Sequence, residues 1–288
     1  MTGPAEFEVL ARGIGFTEGP VWTTSGALWV VSMNRGLVYQ LDPTLRPGEP
    51  IAQVETGGGP NGLAEGADGL LYVAQNGANV ISTRSARPTA PGLQTIAGET
   101  VTDLVVTGWA PNDLVTGPDG RVWFTDPVGD SDAAINSRVC VYDPSTGQVT
   151  VAIEGVAFPN GLAFGPDPAY LYVADSATGD ILRYRVGDGP PYQPEVFAQD
   201  PGSGPDGIAF DAEGYLYVAA FEFDQVVVFD RVGQPVRRLS TGEGSRPTNL
   251  CFAGPELDRL VVTLARGGRV VVTKERFAGR LASPWLGG

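Results

Sequence analysis

Residues Phe158–Asp175 read FPNGLAFGPDPAYLYVAD, and their pattern recurs along the whole chain. A Pro-Asn-Gly turn leads into a short apolar run, Leu162–Phe164. A polar turn, Gly165–Pro168, follows, and then a second alternating run, Tyr170–Ala174. Two short runs bracketed by turn formers predict a β-hairpin. The same hairpin appears as EGPVWTTSGALWVVS from Glu18, NGLAEGADGLLYVAQ from Asn61, NDLVTGPDGRVWFTD from Asn112, DGIAFDAEGYLYVAA from Asp206 and TNLCFAGPELDRLVVT from Thr248. The first residues of the six copies are Glu18, Asn61, Asn112, Asn160, Asp206 and Thr248, separated by 43, 51, 48, 46 and 42 residues.

That spacing is one four-stranded propeller blade and is too long for a leucine-rich repeat. A third alternating run follows most hairpins, as in GLVYQLD (36–42), RVCVYD (138–143), DILRYRV (180–186) and QVVVFD (225–230). Six such units fill 288 residues, which predicts an all-β, six-bladed β-propeller over 1–288 as a single domain. FEVLARG, residues 7–13, is expected to pair with the last blade and close the ring, removing an open edge. The stretch 85–110, rich in Pro and Gly, reads as a lid that runs into Asn112 and holds Trp109 near the channel mouth; the alternative packs Trp109 beneath the loop as core.

Composition narrows the function. With 33 acids against 19 bases the net charge is −14, which disfavours nucleic acid and anionic membranes as partners. No run approaches a membrane span and MTGPAEFEVLARG lacks a leader pattern, so cytoplasmic residence is the expectation. Cys140 and Cys251 lie in strand-like runs of different blades and read as buried free thiols. The chain has no histidine, which excludes Ser-His-Asp and Cys-His nucleophilic schemes and any His-ligated metal.

A residue at the same place in every inner strand forms a ring around the propeller axis. Of the six ring positions Glu18 and Asp206 are acidic, while Asn61, Asn112 and Asn160 offer amide oxygens. Two carboxylates in a narrow channel repel unless a cation lies between them. Oxygen-only donors suit one divalent cation, calcium first, with magnesium or manganese as alternatives. The competing reading is that Asn and Asp merely favour the turn; it is weakest for Glu18, since Glu is not a turn former. Ser32, Gln75, Asp126, Asp175, Ala220 and Thr263, at the ends of the second strands, form an outer layer. Asp126 and Asp175 either aim the ring amides or tie down backbone N–H groups.

These residues resemble the gluconolactonase, senescence-marker-protein and luciferin-regenerating-enzyme family of six-bladed propellers, which are metal-dependent hydrolases. The resemblance rests on FTEGPVW around Glu18, PNDLVTGPDGRVWFTDP around Asn112, FPNGLAFGPD around Asn160 and GPDGIAFD around Asp206. It implies that Glu18, Asn160 and Asp206 ligate the cation, with Asn112 at the position that contacts the metal directly or through water and substrate. It also implies that Asp206 serves as base or nucleophile. Where the animal sugar lactonases carry an arginine two residues before Asn112, this chain has Ala110. Asp126-Pro127 is followed by Val-Gly-Asp, and Ala209 with the absence of histidine argues against a second, structural calcium.

The expected activity is metal-dependent hydrolysis of a lactone. Asp206 and Asn112 are the catalytic candidates, and Asn61, Asn112 and Trp109 the candidates for holding the small-molecule substrate. The loops 85–110, 128–137 and 221–225 are expected to set which substrate that is. The rival readings keep the metal site for phosphotriester hydrolysis or a Lewis-acid elimination, cyclisation or isomerisation, or make the propeller a non-catalytic platform. A monomer or small homo-oligomer is expected.

Overall fold

The computed structural model describes residues 6–107, 109–127, 137–187, 189–190, 192–200 and 202–286. After β1 (Phe7–Ala11), the first blade is β2 (Thr17–Trp22), β3 (Leu28–Ser32), β4 (Leu37–Leu41) and β5 (Ala52–Glu55). The second is β6 (Pro60–Glu65), β7 (Leu71–Gln75), β8 (Gly92–Ala97) and β9 (Thr100–Val106). The third is β10 (Leu114–Thr116), β11 (Val122–Asp126), β12 (Arg138–Asp143) and β13 (Gln148–Glu154). The fourth is β14 (Pro159–Phe164), β15 (Tyr170–Asp175), β16 (Asp180–Arg185) and β17 (Pro194–Gln199). The fifth is β18 (Pro205–Phe210), β19 (Leu216–Ala220), β20 (Gln225–Phe229) and β21 (Pro235–Ser240). The sixth holds β22 (Pro247–Ala253), β23 (Arg259–Leu264) and β24 (Arg269–Thr273), and β1 pairs antiparallel with β24 as its fourth strand.

The fold is therefore a six-bladed β-propeller closed by its N-terminal strand. Leu10 and Ala11 of β1 are buried in the sixth-blade core beside Val270 and Val272. Within each blade the second strand is almost wholly buried, as in LYVAQ of β7 and LYVAA of β19, because its two faces pack against neighbouring blades. Continuous apolar runs are what such double-sided burial requires. The outer strands alternate and leave single valines exposed, such as Val151 and Val196.

One expectation is corrected here. Residues 85–110 are not one lid: they contain β8 and β9, which pair along their length around a turn at Gly98. GLQTIA and TVTDLVV have the β pattern, and neighbouring Pro and Gly obscure it. The long connection of this blade is 76–91, between β7 and β8, with Trp109 in a second, short connection that leads to Asn112.

Past β24 the chain crosses the end of the propeller away from the ring. Phe277 packs on Tyr217 and Phe252, Arg280 Nη2 donates to Phe164 O at 2.8 Å, and Ser283 Oγ donates to Thr116 O at 2.7 Å. These contacts lay the segment over blades three to six at that end of the channel. Among the described residues no helix is long and apolar enough to cross a membrane.

Candidate active site at the head of the central channel

The inner strands do not pair regularly with their neighbours. In β14, Pro159 stands opposite Asp175 and Leu162 opposite Val173, so Asn160 and Gly161 share one facing residue. The same irregularity lies between Pro60 and Leu63 in β6 and between Pro205 and Ile208 in β18, and β2 slips between Glu18 and Val21. A bulge of this kind re-aims a side chain out of the ladder. It places Asn61, Asn160 and Asp206 at the channel head.

The residue after the head must be small in four of the blades. A Cβ on Gly161 would lie 2.3 Å from Asp206 O, and one on Gly207 would lie 2.0 Å from Asn249 Oδ1. Adjacent inner strands therefore approach so closely that glycine is the only fit in most blades.

Glu18, Asn160 and Asp206 are all buried. Asn160 donates through Nδ2 to Ser176 Oγ at 3.1 Å and its side chain also bonds Asp206. Asn61 Nδ2 donates to Asn112 Oδ1 at 2.6 Å, and Asn61 Oδ1 is buried without a partner.

Thr248 departs from the ring. Its hydroxyl is taken by Thr17 O at 2.8 Å and by Thr263, and Asn249 turns into the channel instead. In this blade the extra residue is Thr248 alone, between Pro247 and Asn249, which shifts the inward position by one.

A third carboxylate, Asp113, joins the two expected. It is buried, its Oδ2 accepts Asn249 Nδ2 at 3.2 Å, and the Asn249 side chain also bonds Glu18. Burial, and then the like charge of Asp113, push Glu18 up to about 8. Burial pushes Asp113 up to about 6. Asp206 rises well above the usual range, first through burial and then through Glu18 and Asp113. Among the described residues no lysine or arginine offsets these acids.

The outer layer does the backbone work. Asp175 accepts N–H bonds from Ala157, Phe158 and Ala177. Asp126 accepts Ala110 N at 2.9 Å and pairs with Arg138; burial pushes its carboxyl up, and both partners oppose that push. Gln75 Oε1 accepts Gly59 N at 2.5 Å. Of the two readings of this layer, loop tethering is the one these bonds describe.

Trp109 is 39% exposed at the ring end, so it is not core. Asn79 Nδ2 donates to its carbonyl at 3.0 Å, and the Arg138 guanidinium lies 5.9 Å from its ring. Phe221–Phe223 forms a short 3-10 turn on the same end, with Phe221 under Arg246. Residues 128–136, expected to shape specificity, lie outside the described residues. Cys140 and Cys251 are buried free thiols, each pushed up to about 12 by burial.

A family model described as SMP-30/gluconolactonase/LRE-like matches residues 16–266, which spans all six inner strands and the acids above. The chain belongs to this family. A lactonohydrolase from Aspergillus oryzae is 30% identical over 87% of the chain, and a gluconolactonase from Zymomonas mobilis is 28% identical over 85%. The matches cover 66% and 75% of those two proteins, so the chain spans just under two thirds of the first. In fold it superposes on a calcium-binding regucalcin from Agrobacterium tumefaciens with a TM-score of 0.81, at 22% identity over 98% of both chains.

The donor set meets the needs of a hard cation. Among the described residues no group of three or more His, Cys, Asp or Glu side chains stands in metal-ligating array. The channel head instead mixes carboxylates with amides. Desolvated, uncompensated acids beside amide oxygens are the chemistry that calcium or magnesium accepts and zinc does not.

Proposed function

We propose that this propeller hydrolyses a lactone at the head of its channel, with Glu18, Asn160 and Asp206 holding a divalent cation and Asn112 beside them. The observation that carries the reading is the buried group of Glu18, Asp113 and Asp206, driven toward protonation by burial, with no basic side chain among the described residues to offset it. Membership of the family, and relatives named lactonohydrolase and gluconolactonase, support the choice of a lactone. The calcium-binding description of the regucalcin of like fold supports calcium as the ion. A bound cation supplies Lewis acidity to the lactone carbonyl and keeps the carboxylates ionised.

The chain's own residues carry the remaining steps. Asp206 accepts the proton of the attacking water or attacks the carbonyl itself. The Asn61–Asn112 amide pair orients the ester, and Trp109 at the ring end covers the rest of the substrate. Asp126 and Asp175 hold the loops that present Asn112 and Asn160, through the backbone bonds described above.

Proton release from a panel of sugar-derived and aliphatic γ- and δ-lactones tests this, with calcium and again after chelation. Turnover that chelation removes is the expected result. A calcium-raised melting temperature with no lactone turned over would reject hydrolysis. It would favour the same site acting as a Lewis acid in another reaction, for which Ala110 in place of the sugar lactonases' arginine leaves room.

A further inference from the structure

The position after each ring head is glycine in four blades, Gly19, Gly62, Gly161 and Gly207. It is Asp113 in the third blade and Asn249 in the sixth. In a six-bladed ring those two blades face each other across the axis. Their side chains meet there: Asn249 Nδ2 donates to Asp113 Oδ2 at 3.2 Å across 136 residues of sequence. Each side chain is also fixed at its base, since Asp113 Oδ1 accepts Leu114 N at 2.9 Å and Asn249 Oδ1 accepts Leu250 N at 2.8 Å.

Both of these strut residues line a cavity of about 40 Å³ on the axis. Its walls are apolar, including Leu162, Phe164, Ile208 and Phe210, and Arg280 lies at the closed end. The strut thus separates the acidic head from the apolar-walled cavity below. It also reaches sideways, because the Asn249 amide bonds Glu18 on the adjoining first blade.

We propose that Asp113 and Asn249 form a cross-channel strut that positions the Glu18 carboxylate for cation binding. This rests on the reading that Glu18, Asn160 and Asp206 hold a divalent ion. Neither strut residue need be a ligand. An amide with two N–H groups, one on each carboxylate, fixes the direction of Glu18 much as an outer partner fixes a metal-binding histidine. Asp113 in turn fixes Asn249 and adds a third acid to the channel head. The arrangement carries an internal tension: Asp113 adds a third desolvated acid to the channel head, a cost in the metal-free protein that would become a gain with a cation bound.

That tension gives a test with opposite signs. Asp113→Asn keeps the size and removes the charge. The metal-free melting temperature should rise, since a desolvated acid is gone, while calcium affinity, read from the calcium dependence of the melting temperature, should fall by about 10- to 100-fold. Asn249→Ala removes the shared donor; calcium affinity should fall by a similar factor, with the metal-free protein no more stable than the parent. A strut that only braces the fold would instead make Asp113→Asn less stable and leave calcium affinity within about twofold. Unchanged affinity in either variant overturns the proposal. The parent protein separates the two levels: if calcium does not raise its melting temperature, the cation reading itself fails.

Discussion

Metal-free protein is expected to become less stable as the pH rises from 6 to 8, and the reason lies in one buried carboxylate. Glu18 has an ordinary value of 4.5 and is raised to about 8 in the folded chain, mainly by burial and next by Asp113. A group whose folded value is raised holds its proton more tightly when folded. Its stabilising contribution is complete below 4.5 and disappears as the pH climbs through about 8. At 1.36 kcal/mol for each unit of difference, the whole contribution is about 5 kcal/mol, and about 2 kcal/mol of it is lost between pH 6 and 8. Asp206 is raised by the same causes and acts in the same direction.

The chain contains no histidine to add a titration of its own in this window. For a protein near this size, a loss of about 2 kcal/mol lowers the melting temperature by roughly 4–8 °C. Thermal unfolding after exhaustive chelation, in buffers matched for ionic strength, measures it. Glu18→Gln should flatten much of the slope, and calcium should do so in the parent by favouring the ionised acids. A chelated protein whose stability is level, or rises, from pH 6 to 8 would refute the account of a desolvated and uncompensated channel head.

Three further outcomes follow from particular residues. Asp206→Asn should fold and lose at least about 100-fold in lactone turnover, the usual scale for a general base; retention of most activity would remove Asp206 from the chemistry. Trp109→Ala should leave the melting temperature nearly unchanged, because the ring is 39% exposed, while KM for the best lactone rises more than kcat falls. Deleting residues 1–11 should lower stability by at least the roughly 1.5–3 kcal/mol that burying Leu10 supplies, and should leave β24 as an open edge; self-association of the truncated chain by light scattering checks the second effect.

The propeller was legible because a period near one blade length repeats with the same hairpin, and period is a property a sequence carries openly. FEVLARG could be read as the closing strand for the same reason: a six-fold repeat leaves one strand short. The second blade's outer half was harder to read, since β8 and β9 sit beside a connection, 76–91, whose prolines and glycines blend into them. The site shows the sharper division. Aligning the copies on their heads selects Glu18, Asn61, Asn112, Asn160 and Asp206, and bulges fall at Asn61, Asn160 and Asp206 among them.

Thr248 follows that alignment and fails, because the irregularity in β22 falls one residue earlier relative to the inward position. A single displaced bulge is a matter of hydrogen-bond register, and no composition records it. The column beside the heads held the missing signal. Where inner strands come close enough for a Cβ to touch the neighbouring backbone, glycine is what packing requires, and a non-glycine there must find room across the axis. Only Asp113 and Asn249 break the column, and a bulky polar residue could replace glycine in one such blade only if the facing blade received it. A carboxylate and an amide in opposite blades, six-fold symmetry broken twice at complementary places, therefore point to one another before any coordinate is known, and the 3.2 Å bond between them is the consequence.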